Sequence, residues 1–145
     1  MPILCGSFHE MVTGKESPMD ASVVSAFVAA LKKALDGKRV CFIAGVDLSH
    51  VGQRFGDADD LSDAFLLGVE KTDRELLDAA QKMDAEAYFD VVVRECDRTR
   101  VCGTSSIYTM LQVMDADRGE LLKYDQAVDH NDPQQMVSFA SMAFY

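Results

Sequence analysis

The chain has 145 residues, close to the commonest size of one domain, and its 48% hydrophobic and 26% charged composition is enough to build a buried core. Its 14 Lys and Arg against 24 Asp and Glu leave a formal charge of −10, which argues against nucleic acid and against anionic membrane surfaces as partners. No apolar run approaches the roughly 18 residues of a membrane span, and the first residues lack a signal peptide's basic start and cleavage site, so a cytoplasmic single domain over 1–145 is expected.

Pro2 to Gly6 reads as a short strand, and a polar loop runs from there to Ser17. Ser17-Pro18-Met19-Asp20 has the form of an N-cap, a proline at the first helical position and an acid at the third. Val23, Val24, Phe27, Ala30, Leu31, Ala34 and Leu35 then recur at helical spacing, up to a stop at Gly37. Val40 to Val46 is a continuous apolar run, the pattern of a strand buried on both faces, and it ends in Asp47-Leu48-Ser49-His50. Strand, helix and strand over residues 2 to 46 predict a βαβ unit with parallel strands. Cys5-Gly6 and Asp47-x-x-His50 then share the edge at which such sheets bind ligands.

Asp57, Asp59, Asp60 and Asp63 read as the solvated start of a helix rather than a cation loop, because no Asp-x-Asp-x-Asp-Gly pattern accompanies them. A helical stripe follows over Leu61 to Val69. Thr72-x-x-Glu75 has the pattern of a capping box opening a second helix to about Met83, and Asp84-x-Glu86 opens a third to about Cys96. Beyond the polar connection Asp97 to Arg100, Cys102 precedes another helix carrying Ile107, Met110, Leu111, Val113 and Met114. Gly119 to Val128 and Met136 to Tyr145 are β-like and joined through the turn signal Asn131-Asp132-Pro133, which predicts an antiparallel pair. The expected fold is mixed α/β: a mostly parallel sheet flanked by helices, with a C-terminal antiparallel strand pair.

Asp47 and His50 lie on one short loop, close enough to share a metal, a water or a substrate proton. The alternative is structural, with Asp47 capping the next turn and His50 a hydrogen-bonded residue of the framework. Cys102 sits just before a helix N-terminus, where free N–H groups and the helix dipole lower a thiol's pKa and favour metal ligation or nucleophilic attack. Cys5 and Cys41 fall in strand patterns as core thiols, Cys96 lies late in a helix, and no Cys-x-x-Cys pair is present. Tyr124 and Tyr145 read as packing residues.

Gly45 to Phe55 resembles the "S-D-x-S/C-H-x-G-Q-R-F" segment of the Memo family, whose bacterial and archaeal members are called AmmeMemoRadiSam system protein B. Pro2 to Gly6 is similar to that family's "V-P-I-L-V-G" strand, Val101-Cys102-Gly103 to its "x-C-G" site, and Leu121 to Tyr124 with Met136 to Phe144 to its last two strands. Two departures stand out: no proline follows Cys102 in the next turn, and Ala127 stands where the family usually has serine. The resemblance covers the second half of a Memo protein. The family's first half carries two further site histidines, and neither His9 nor His130 occupies a family site position.

The resemblance implies a fold like that of the LigB-type class III extradiol dioxygenases, and a site holding iron or copper through histidines and the cysteine. On this reading His50, Cys102 and Asp47 are metal ligands or near-ligands and the candidate catalytic groups, Asp47 as acceptor or base. The set is incomplete, since a mononuclear non-haem iron site needs about three protein ligands. A homo-oligomer or a partner chain is expected to cover the exposed half, and the family's name implies association with a radical-SAM and an AMMECR-type protein. Two other readings stand behind this one. The first is a non-enzymatic interaction domain, as the role of animal Memo proteins in receptor-driven motility implies. The second is a thiol hydrolase with Cys102 as nucleophile, His50 as base and Asp47 as orienter.

Overall fold

Side-chain acceptors standing one residue ahead of an apolar periodic stretch decide where several helices begin. In the computed structural model, which describes residues 1–58, 60–131 and 134–145, the Ser17 hydroxyl accepts from the Met19 N–H at 3.2 Å and opens a 3-10 turn, Pro18–Asp20. Helix α2, Ser22–Leu35, follows it and buries Val28 and Leu31 beside Val113. Ser62 accepts from Phe65 N–H to open α3, Asp63–Gln81, and Asp84 accepts from Ala87 N–H to open α4, Ala85–Arg94. The last helix, α5, is Thr104–Val113.

Two expectations about helices need correction. The loop expected over 7–17 contains a short helix, α1, His9–Gly14, whose Phe8 packs edge-on against Phe89 and Tyr108. The two helices expected over 61–83 are one, because the capping-box pair does not cap. Thr72 donates its hydroxyl back to the Gly68 carbonyl at 3.4 Å, and Glu75 pairs with Arg94 at 2.5 Å, so nothing interrupts the ladder.

Strands β2, Gly119–Asp129, and β3, Gln135–Phe144, form the expected antiparallel pair, in register from Gly119↔Phe144 to Asp129↔Gln135 with an irregularity between Leu121 and Lys123. Asp132 and Pro133 of the turn signal lie outside the described residues, as does Asp59 of the acidic cluster. A two-residue strand, β1, His50–Val51, pairs antiparallel with the other edge of β3, His50 opposite Val137, and gives the order β1-β3-β2. Helix α3 packs on this sheet, α4 on α3 and α5 on α4, around Leu76, Leu77, Tyr88, Phe89, Tyr108 and Leu111, with Leu48 joining the same core. Each such aliphatic side chain fully buried is worth about 1.5–3 kcal/mol.

The chain is therefore mixed α/β, but the sheet among the described residues is antiparallel throughout, and the βαβ unit expected over 2–46 does not form. Pro2–Gly6 and Val40–Val46 make no backbone–backbone hydrogen bonds with the described residues, although both line one cavity beside α2 and α5. Among the described residues no second layer covers them. A strand buried on both faces needs cover on both, and here Leu4 is 98% and Ile43 88% exposed. Cys41 is exposed as well, not a core thiol. No described helix is long and apolar enough to cross a membrane.

Candidate functional site

The segment Asp47 to Val51 is fixed by backbone bonds on both sides. Leu48 N–H donates to the Ser138 carbonyl at 2.9 Å, Ser138 N–H to the Ser49 carbonyl at 2.9 Å, and His50 N–H to the Thr99 carbonyl at 2.7 Å. Beneath it lies a buried polar cluster. The Ser49 hydroxyl donates to Asp73 Oδ1 at 2.6 Å and lies 2.8 Å from the Thr99 hydroxyl, while Tyr124 donates to Asp73 Oδ2 at 2.8 Å. Ser49, Asp73 and Ser138 have no exposed surface. Burial pushes the Asp73 carboxyl above its ordinary pKa, and hydroxyl donation from Ser138, Ser49 and Tyr124 opposes that rise.

The carbonyl of Leu48 accepts twice: from His50 Nδ1 at 3.1 Å and from Cys102 N–H at 3.3 Å. A carbonyl can only accept, so Nδ1 is the donor of this bond, and in the neutral imidazole the free lone pair is on Nε2. That nitrogen lies 3.9 Å from Asp47 Oδ2. Phe55 packs edge-on against the imidazole, with centroids 5.3 Å apart. Cys102 donates its thiol to the Asp47 carbonyl at 3.5 Å. One donor atom each from Asp47, His50 and Cys102 falls within 4.8 Å of the others, although 52 residues separate the histidine from the cysteine.

The approach to Cys102 is tightly constrained. Cys96, Asp97 and Arg100 adopt left-handed backbone with φ of 52°, 48° and 52°, a conformation costing roughly 1–3 kcal/mol for each non-glycine residue and sustained only where surroundings over-determine it. Here the bonds are Val101 N–H to Asp97 Oδ1 at 2.9 Å, Arg100 N–H to the Asp97 carbonyl at 2.9 Å, and Arg100 Nη1 to the His50 carbonyl at 3.0 Å. Arg100 also forks onto the Asp57 carboxylate, which accepts from Gly52 N–H at 2.7 Å. The guanidinium holds Asp57 below the usual carboxylate range. Gly103 lets the chain at Val46–Asp47 lie against α5, since a Cβ there meets the Asp47 carbonyl oxygen at 2.7 Å.

Two expectations about this site are corrected. Asp57 belongs to an ion pair that closes the 50–57 loop, not to a solvated helix start. Cys102 is not an acidic thiol: burial pushes its pKa up and the charge of Asp47 adds to this, against the hydrogen bond to the Asp47 carbonyl. Its sulfur faces Asp47, one residue ahead of the cap Gly103, rather than the free N–H groups of α5. The sequence reading also missed Asp73, Thr99, Ser138 and Arg100. For Asp73 a signal existed, since it falls among Val69, Thr72, Leu76 and Leu77 on the buried stripe of α3, where an unpartnered acid has no place.

Fold and site define a small mixed α/β domain that gathers a carboxylate, an imidazole and a thiol beside the short edge strand β1. The model of the Memo-like protein family matches residues 11–143, and the chain belongs to that family. It is also similar to a MEMO1 family protein of Aquifex aeolicus (strain VF5), at 31% identity over 114 residues. That match takes in 76% of this chain and 28% of the relative, so the chain spans less than a third of the relative's length.

Proposed function

We propose that Asp47, His50 and Cys102 form part of a redox-metal site for iron or copper, dioxygenase-like in type and incomplete in this chain alone. The observation that carries the reading is the donor set: N, S and O atoms within 4.8 Å, with the imidazole oriented through Nδ1 so that Nε2 is left 3.9 Å from the Asp47 carboxylate. Imidazole, thiolate and carboxylate together suit iron and copper, and an imidazole anchored through its other nitrogen is the usual arrangement in metal sites. An ion bound there supplies one-electron and dioxygen chemistry. The protein's own part is to orient His50 and Cys102 through Leu48, to shield the imidazole with Phe55, and to offer the exposed Asp47 carboxylate as ligand or proton acceptor.

The remaining ligands come from a second copy or from a partner chain, in a cytoplasmic assembly that includes radical-SAM and AMMECR-type proteins. The uncovered side chains of Leu4 and Ile43 support that completion in trans, because the second layer they lack is what another chain would bring. The same surface favours a second reading, a non-enzymatic interaction module. A thiol hydrolase ranks last, since a raised Cys102 pKa leaves little thiolate at neutral pH.

The test is anaerobic titration with Fe(II) and with Cu(I), read by alkylation and mass spectrometry. Metal is expected to protect Cys102, and Cys102→Ser and His50→Ala to weaken binding more than tenfold. Cys102 alkylated at the same rate under saturating metal refutes the site; ester turnover in chelator, lost in Cys102→Ser, establishes the hydrolase instead.

A further inference from the structure

All four cysteines are free thiols, and two of them, Cys5 and Cys102, line one cavity of about 370 Å³ walled by residues 5–7, by α1 and by the turn that leads into α5. Cys41 and Cys96 are exposed and do not line it. Cys102 is the residue that this cavity shares with the cluster of Asp47, His50 and Cys102.

The two thiols differ in how they are held. Cys102 N–H donates to the Leu48 carbonyl at 3.3 Å and its thiol to the Asp47 carbonyl at 3.5 Å, which fixes it to the chain at 47–48. Cys5 is half-buried in a segment, 2–6, that makes no backbone bonds with the described residues, and it precedes Gly6, where a Cβ would meet no atom within 4 Å. The next anchored residue is Phe8, packed edge-on against Phe89 and Tyr108 and lining the same cavity. Three residues of extended chain span about 11 Å at most, so Cys5 can shift toward Cys102 while Phe8 and the core stay in place. A disulfide asks for Cα atoms about 4.4–6.8 Å apart.

We propose that Cys5 and Cys102 are a peroxide-sensitive pair that closes to a disulfide on oxidation and reopens on reduction, so that the sulfur ligand of the metal site is available in the reduced chain alone. The bond itself rests on the shared cavity; its effect on metal rests on the reading of Cys102 as a ligand. The oxidant is hydrogen peroxide or an organic hydroperoxide. One sulfur takes a hydroxyl from the peroxide as the O–O bond breaks, and the other oxygen leaves as water or alcohol with that thiol's proton. The second sulfur then displaces the hydroxyl of this sulfenic acid, which departs as water with the second thiol's proton. The two thiols lose two electrons, and the two peroxide oxygens gain them.

Trypsin leaves each of the four cysteines in its own peptide, because a lysine or arginine separates every pair of them along the chain. The full chain is treated in chelator with hydrogen peroxide, alkylated, digested and weighed by mass spectrometry. A peptide pair joining Cys5 to Cys102 within one chain, and lost on reduction, is the expected product. Affinity of the oxidised chain for Fe(II) and for Cu(I) is expected to fall more than tenfold and to return once the bond is reduced. Cys5→Ser is expected to form no such pair and to abolish that reversible loss. Cys102 linked to Cys41, to Cys96 or to a second chain overturns the proposal, as does Cys102 found as sulfinic acid with Cys5 still open to alkylation. So does a Cys5→Ser chain that loses and regains metal as the parent does. A bond between Cys5 and Cys102 that leaves metal affinity unchanged refutes Cys102 as a ligand, and with it the switch, while the thiol pair stands.

Discussion

Gly103→Ala separates two effects that ordinarily run together. Gly103 has φ −75° and ψ −7°, a conformation open to any residue, so backbone entropy alone favours the alanine by about 0.4–1 kcal/mol. Contact opposes it. The added methyl meets the Asp47 carbonyl oxygen at 2.7 Å, Val46 Cγ2 at 2.8 Å and Ile107 Cδ1 at 2.9 Å. The isoleucine end can rotate away, but the carbonyl belongs to the main chain and must retreat by about 0.7 Å to reach ordinary contact. Overpacking of this kind costs about 1–3 kcal/mol, which leaves a net destabilisation of about 1–2 kcal/mol after the entropic gain. The retreat also draws Asp47 away from the Cys102 sulfur, so metal affinity is expected to fall at least tenfold. Urea denaturation measures the first effect, and competitive metal titration against a chromophoric chelator the second. An alanine variant more stable than the parent, with unchanged metal affinity, refutes the claim that close approach of the chain to α5 builds the site.

Asp73→Asn is expected to flatten the pH dependence of stability. The folded state raises the Asp73 pKa, so it holds the proton more tightly than the unfolded chain; stability from this group is greatest below its ordinary pKa near 3.8, falls as pH rises through the folded value, and is level above it. Urea midpoints of parent and variant measured across that range give the difference, and parallel curves refute the assignment. Light scattering on the 16.0 kDa chain at micromolar concentration is expected to report a dimer or larger assembly, and a monomer that binds no apolar dye removes the case for completion in trans.

What the sequence revealed depended on how far apart the interacting residues lie. Helices α2, α4 and α5 were legible because their stripes and, for α4, its cap are local, and Asp47, His50 and Cys102 were legible as motifs. The Val40–Val46 run misleads because seven apolar residues record what a strand is built to be buried by, and among the described residues Ile43 stays 88% exposed. The polar cluster under the site was out of reach for a different reason. Ser49 meets Asp73 across 24 positions and Ser138 across 89, and no local pattern announces such pairs. The Asp57 to Arg100 clip spans 43 and was hidden behind an ordinary run of acids.

The Leu48 carbonyl, accepting from His50 and Cys102 at once, removes a degree of freedom from the cluster. Histidine and cysteine cannot tilt independently, because turning one peptide plane disturbs both. Leu48 is itself locked in the core and bonded to β3, so the positions of the imidazole and of the Cys102 backbone are inherited from the packing around them. The Asp47 carboxylate, exposed on a residue whose carbonyl alone meets the Cys102 thiol, is the adjustable member. In the proposed metal site, ions of different radius would be accommodated by swinging one carboxylate, and selectivity among them would fall to whichever groups complete the coordination sphere.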